Sequence, residues 1–118
     1  QVGDMNKEEV ECARIIDNLL EVEYWVRSIE KHSYSFFLPM ANANFYPDFV
    51  ALLKDGRILV VEYKGEHLVT NDDSKNKDTI GQLWEKSSNG KCLFLMATKK
   101  DDKGLTLIEQ IQNKVKSL

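Results

Sequence analysis

The chain has 118 residues, 42% of them apolar and 30% charged, enough for one compact domain with a real core and unlike the composition of a disordered segment. No apolar run approaches the roughly 18–20 residues that span a bilayer, which excludes a membrane protein of helical type; there is no signal peptide, and Cys12 and Cys92 have neither CxxC spacing nor neighbouring histidines, which excludes a zinc site and points to reduced thiols in a cytoplasmic setting. A net charge of −3 excludes global attraction to nucleic acid, so DNA affinity must come from local basic patches, a metal ion or another domain, and this domain alone should bind weakly. The chain opens with Gln1 rather than Met and reads as a piece excised from something longer.

From Asn6 to Leu20, the apolar residues Val10, Ala13, Ile16, Leu19 and Leu20 recur at helical spacing, with Asn6 or Asp4 as a cap ahead of Glu8 and Glu9. Glu21 to Ile29, rich in Val, Tyr and Trp, predicts a strand, and a further extended piece at Ser35–Leu38 is ended by Pro39. Two apolar runs, about Pro47–Leu53 and Arg57–Lys64, flank Asp55-Gly56 and predict a hairpin. The polar stretch Val69–Asp78 predicts an exposed loop. Ile80, Leu83 and Trp84 then mark a helix over Thr79–Ser87, and Lys91–Ala97 reads as a strand buried on both faces. After a charged turn at Lys99–Gly104, Leu105, Ile108, Ile111 and Val115 mark a closing amphipathic helix. This order predicts one α/β domain with a mixed sheet covered by helices.

The hairpin carries charges that a plain core hairpin does not need. Glu62 and Lys64 project to one side of a regular strand, and whether Asp48 joins them depends on the turn. A two-residue turn pairs Lys54 with Arg57 and sets Asp48 opposite Tyr63, away from Glu62. A three-residue loop, Lys54-Asp55-Gly56 with Gly56 left-handed, pairs Leu53 with Arg57 and sets Asp48 opposite Glu62. The bulged register is the one expected, because it alone gathers the charges. Two carboxylates across a strand pair repel unless a cation lies between them, and Mg2+ prefers such hard oxygen ligands, with Mn2+ a substitute. An ion on Asp48, Glu62 and the Tyr63 carbonyl would activate water and neutralise charge on a phosphate, while Lys64 orients or deprotonates that water. The chemistry is metal-assisted phosphodiester hydrolysis.

Pro47-Asp48 followed by Glu62-Tyr63-Lys64 also resembles the PD-(D/E)xK nuclease signature and its αβββαβ core. The likeness covers most of the chain: Glu9–Ala13, Val22–Arg27 with Trp25, Phe37-Leu38-Pro39, Phe45–Lys64 and Lys77–Trp84 together look like the C-terminal nuclease domain of type III restriction enzyme Res subunits and related helicase-nucleases. The resemblance implies a restriction-endonuclease-like core over residues 1–118, with an extra C-terminal helix. It implies a Mg2+-dependent endodeoxyribonuclease acting on double-stranded DNA, with Asp48, Glu62 and Lys64 catalytic. Its implied partners are an upstream helicase domain of the parent chain, since no GxxxxGK[ST] loop occurs here, and a methylation subunit that selects the target. Ser28 departs from the asparagine expected after Trp-Val-Arg. Similar nucleases add an acid from the first helix; Glu8, Glu9 and Glu11 are candidates, and Glu9 shares the stripe of Ala13, Ile16 and Leu20 that faces the sheet. The second helix offers Gln82 as support for the site and Lys77 as a phosphate contact, with Lys75 nearby on the DNA side.

Blander readings stand beside these. Asp48 after a proline can simply start a strand, Glu62 and Lys64 can form a solvated strand face, and Glu9 suits a helix N-terminus without catalysis. His32 and His67 are lone histidines without ligand spacing, and Trp25 and Trp84 suit packing better than base stacking. Lys75, Lys77, Lys99, Lys100 and Lys103 lie among acids and read equally as solvating charge, although Lys75 and Lys77 fall on the expected DNA side. A catalytically inactive nuclease-like module that positions DNA or docks a partner is the alternative function.

Overall fold

Apolar alternation on both sides of Asp55-Gly56 builds the centre of the sheet. The structure, a computed structural model, describes residues 7–27, 38–39, 44–64 and 72–116. The elements run α1 (Lys7–Asp17), β1 (Val22–Arg27), β2 (Leu38–Pro39), β3 (Asn44–Phe45), β4 (Phe49–Leu53), β5 (Ile58–Tyr63), α2 (Asp72–Ser87), β6 (Cys92–Ala97) and α3 (Leu107–Lys116). Four strands form one sheet in the order β1-β4-β5-β6, antiparallel except for β5 and β6, which are parallel; β2 and β3 make a separate two-stranded ribbon. A parallel neighbour requires a crossover, and α2 supplies it.

Successive residues of β5 part to opposite faces. Leu59, Val61 and Tyr63 join Cys12, Ala13, Ile15 and Ile16 of α1 and Leu107, Ile111 and Val115 of α3 in the larger core. Val60 and Phe94 face the other way and pack with Ile80 and Trp84 of α2. The result is an α/β fold with a mixed sheet between α1 and α3 on one face and α2 on the other. Trp25 meets Phe49 edge-on at 5.7 Å and its Nε1–H donates to Asp17 at 2.9 Å, so it is a packing residue, as is Trp84.

The turn has the bulged register. Gly56 has φ 94°, its N–H donates to the Leu53 carbonyl at 2.9 Å, and the Leu53 N–H donates to the Arg57 carbonyl at 2.8 Å. Pairing proceeds through Leu52–Ile58, Ala51–Leu59, Val50–Val60 and Phe49–Val61, and one step further sets Asp48 opposite Glu62. The Asp55 carboxylate accepts the Arg57 N–H and Nε–H at 3.0 and 2.8 Å, and Arg57 Nη2 reaches the Val115 carbonyl at 2.7 Å, tying the turn to α3.

Several expectations need correction. The loop over Val69–Asp78 does not hold from Asp72 onward, where α2 already runs, and Lys77 finds a carboxylate partner on the sheet. Helix α1 stops at Asp17, so Leu20 falls outside it and is 83% exposed. On α2, Leu83 is exposed, while Gly81 is buried so close to Phe94 that a Cβ there would run into the ring. On α3, Ile108 is exposed and Leu107 and Gln110 are buried. The shift follows from the cap: Thr106 and Glu109 exchange side-chain-to-backbone bonds at 2.9 and 3.3 Å, a capping box that sets the helix phase. Gln110 then clamps Thr98, accepting its N–H at 3.0 Å and donating to its carbonyl at 2.8 Å. Strand β2 has Pro39 as its last residue. Strand β6 buries Leu93, Phe94 and Ala97 but leaves Cys92, Leu95 and Met96 half-buried. Asp4, Asn6, Ser28, His32, Ser35–Phe37, His67 and Val69–Asn71 lie outside the described residues.

Candidate functional site

The β4–β5 ladder ends at Phe49 and Val61, and beyond that point side chains replace backbone partners. The Asp48 N–H donates to Glu62 Oε1 at 2.9 Å, and the Tyr63 N–H donates to Asp48 Oδ2 at 2.8 Å. Each carboxylate thus accepts a backbone N–H from the other's side of the hairpin, which fixes both. Tyr63 sends its ring into the α1–α3 core. The next residue, Lys64, donates its N–H across to Ala97 at 2.8 Å, and backbone groups of successive strand residues point to opposite edges. The Tyr63 N–H and carbonyl therefore both point toward the Asp48 side.

Burial makes this pair electrostatically costly. Glu62 is 8% exposed, and desolvation, with the Asp48 charge adding to it, pushes its carboxyl up to about 8, against relief from Lys77 and the Asp48 N–H. Asp48 is also raised, mainly by burial and then by Glu9, while the Tyr63 N–H, Arg27 and Lys77 pull it down. Two carboxyls with elevated proton affinity, one buried and one half-buried, are short of positive charge, and hard oxygen donors in that condition fit a divalent cation.

Further groups come to the pair from three elements. Glu9 of α1, half-buried, lies 3.9 Å from Arg27 Nη2 of β1; both act on Asp48 electrostatically. Glu8 and Glu11 are exposed, and Glu11 pairs with Arg14 at 3.1 Å. From α2, Lys77 Nζ stands 3.5 Å from Glu62 Oε2. Lys64 follows Glu62 by two residues and is half-buried, so strand alternation puts it on the Glu62 side, but the lysine in contact with Glu62 is Lys77. Lys75 is exposed on α2, and Gln82 is exposed and bonded to Asp78 at 3.2 Å rather than directed into the pair. Among the described residues no three His, Cys, Asp or Glu side chains converge closely enough to hold a metal ion; the centre is a two-carboxylate one with Glu9 nearby.

Sequence reasoning did not single out Arg27 as a member of the site. The pairing of Arg27 with Phe49 puts it beside Asp48, and only the β1–β4 register, which no local pattern encodes, reveals that. Cys12 is likewise close enough to feel the acids: burial first, then Asp48, Glu9 and Glu11, push its thiol up to about 12, so it is an inert core residue. No helix among the described residues is long and apolar enough to cross a membrane. No protein-family model, curated protein or solved structure matches the chain.

Proposed function

We propose that the chain is a metal-dependent DNA endonuclease domain of PD-(D/E)xK type, with a restriction-endonuclease-like core, belonging to a type III restriction enzyme or related helicase-nuclease. The observation that carries this reading is the bulged hairpin register, which sets half-buried Asp48 opposite buried Glu62. Leaving out the β2–β3 ribbon, the order α1-β1-β4-β5-α2-β6 is the αβββαβ order that the resemblance implies, which supports it further.

Asp48 and Glu62, with the Tyr63 carbonyl, would hold Mg2+ or Mn2+. When bound, the ion supplies a water of lowered pKa and charge neutralisation at the phosphate. Glu9 adds negative charge behind Asp48 and, through Arg27, keeps that acid oriented. Lys64, on the Glu62 side of β5, takes or orients the proton of the attacking water, and Arg27 and Lys77 flank the acids where a phosphodiester backbone would cross. Lys75 extends that basic edge along α2. The substrate is double-stranded DNA, delivered by an upstream helicase domain, with target choice left to a methylation subunit.

The test is plasmid nicking with Mg2+ or Mn2+ by the longest form of the parent protein. Lys64→Ala is expected to lower the rate by about 100-fold or more, in the range of a lost general base, while leaving DNA binding in Ca2+ within a few-fold of wild type. Nicking that survives Lys64→Ala would remove that role from Lys64. A second reading, a silent module that positions DNA, has its own support: the reciprocal bonds between Asp48, Glu62 and the two strands serve equally as a hairpin lock. Intact parent protein that binds DNA in a salt-dependent way yet leaves it uncut in either metal would favour the silent module.

A further inference from the structure

The position of Lys77 on α2 is not what its charge predicts. Lys77, Ile80, Gly81 and Trp84 fall at i, i+3, i+4 and i+7, one stripe of a helix. Ile80 and Trp84 of that stripe pack on Val60 and Phe94, and Gly81 lies against the Phe94 ring. Lys77 therefore occupies the sheet-facing stripe of α2, one turn before the apolar contacts. Glu62 is two residues beyond Val60 on the same face of β5. The close approach at Gly81 fixes the height of α2 over the sheet, and so fixes Lys77 above Glu62. The resulting ion pair is 3.5 Å long, with the lysine side chain 29% and the glutamate side chain 11% exposed.

We propose that Lys77 is the built-in counter-ion of the Asp48–Glu62 pair, holding the two acids together without metal and yielding Glu62 Oε2 to an incoming divalent cation, which frees the ammonium to contact the phosphate. The inference rests on reading Asp48 and Glu62 as metal-carrying residues. Lysine suits the exchange: its ammonium is a mobile point charge on a flexible stem, whereas a planar guanidinium binds a carboxylate in two-pronged fashion and leaves it less readily. Because Glu62 Oε1 keeps the Asp48 N–H, the hairpin stays locked while Oε2 changes partner.

The test compares wild type, Lys77→Gln, Lys77→Arg, Glu62→Gln and the Lys77→Gln/Glu62→Gln double variant. In EDTA at pH 9, where the Glu62 carboxyl is ionised, thermal unfolding is expected to give a favourable coupling between Lys77 and Glu62 in the double-mutant cycle. In Mn2+ titrations by calorimetry at pH 9, Lys77→Gln is expected to bind the ion about tenfold or more tightly than wild type, because a competitor at close range has been removed, whereas Lys77→Arg binds it no more tightly than wild type. A cycle without coupling overturns the counter-ion role whatever the metal does. Unchanged or weaker Mn2+ binding by Lys77→Gln overturns the release. If none of the five proteins binds Mn2+, the metal reading of the site fails and takes the release with it, and persisting coupling in EDTA distinguishes that failure from failure of the counter-ion role.

Discussion

Glu62 shows how one residue can carry both the cost and the use of a site. Its carboxyl, raised from 4.5 to about 8 by burial and by Asp48, binds its proton more tightly in the folded chain than in the unfolded one. Such a group stabilises the fold fully below its unfolded value and loses that contribution as pH rises through its folded value. Asp48, also raised, acts in the same direction. The metal-free domain is therefore expected to lose stability between pH 5 and pH 9, by at least about 4 °C in Tm, which roughly 1 kcal/mol is worth in a domain of this size. Differential scanning calorimetry in EDTA checks it, and Glu62→Gln, which retains an oxygen acceptor for the Asp48 N–H, should flatten much of the slope. Mg2+ or Mn2+ binds the ionised form, so adding it should raise Tm more at pH 9 than at pH 6. A Tm that rises from pH 6 to pH 9 in EDTA, for wild type and Glu62→Gln alike, would show that the pair is not held protonated.

At the scale of elements, the β4–β5 hairpin was the most legible part of the chain, because the turn residues and the expected convergence of Asp48 with Glu62 pointed to the same turn. Lys54-Asp55-Gly56 permits two registers on turn residues alone, and only the bulged one brings Asp48 to Glu62; φ 94° at Gly56 is that choice in the backbone. Gly56→Ala meets no neighbour, so its cost is backbone strain, about 1–2 kcal/mol, and Gly56→Val should cost more. Urea unfolding measures both; a Gly56→Val chain as stable as wild type would mean that the turn accepts another register. Helix α2 was less legible. Its start is polar, and the partner that gives Lys77 a reason to face inward lies on β5, across a segment with no periodic signal. Gly81 carried no pattern signal either, since a glycine inside a helix reads as a weakness until Phe94 is in place. Gly81→Ala is expected to cost about 1–3 kcal/mol by overpacking and to weaken the Lys77–Glu62 coupling, whereas the exposed Leu83→Ala should change neither by more than about 0.5 kcal/mol. Arg27 was illegible for a related reason: strand existence follows from composition, but which strand lies beside which follows from the whole sheet.

The molecule as a whole carries a net charge of −3, which opposes approach to a polyanion. Any grip on DNA must then be local, and the cations that the fold gathers near the acids are Arg27 from β1 and Lys77 from α2, with Lys64 at the end of β5 and exposed Lys75 further along α2. These come from separate elements, so the surface exists only in the folded domain, and no run of basic residues announces it in the sequence. A binding mode built on so few phosphate contacts has a defined signature: log K falls with log salt at a slope of roughly −0.9 for each contact on duplex DNA. Fluorescence anisotropy with a labelled duplex in Ca2+ is expected to give a slope between about −2 and −4 and weak affinity at physiological salt. Lys75→Ala, remote from the acids, should reduce the slope by about 1 without altering Mn2+ binding, and Arg27→Ala should reduce it similarly while also loosening Asp48. Equal slopes for wild type and both variants would place the DNA on another face. Lost slope in Lys75→Ala, with metal binding intact, would separate the basic edge of α2 from the acid pair and tie the DNA path to the side of the sheet on which Glu62 stands.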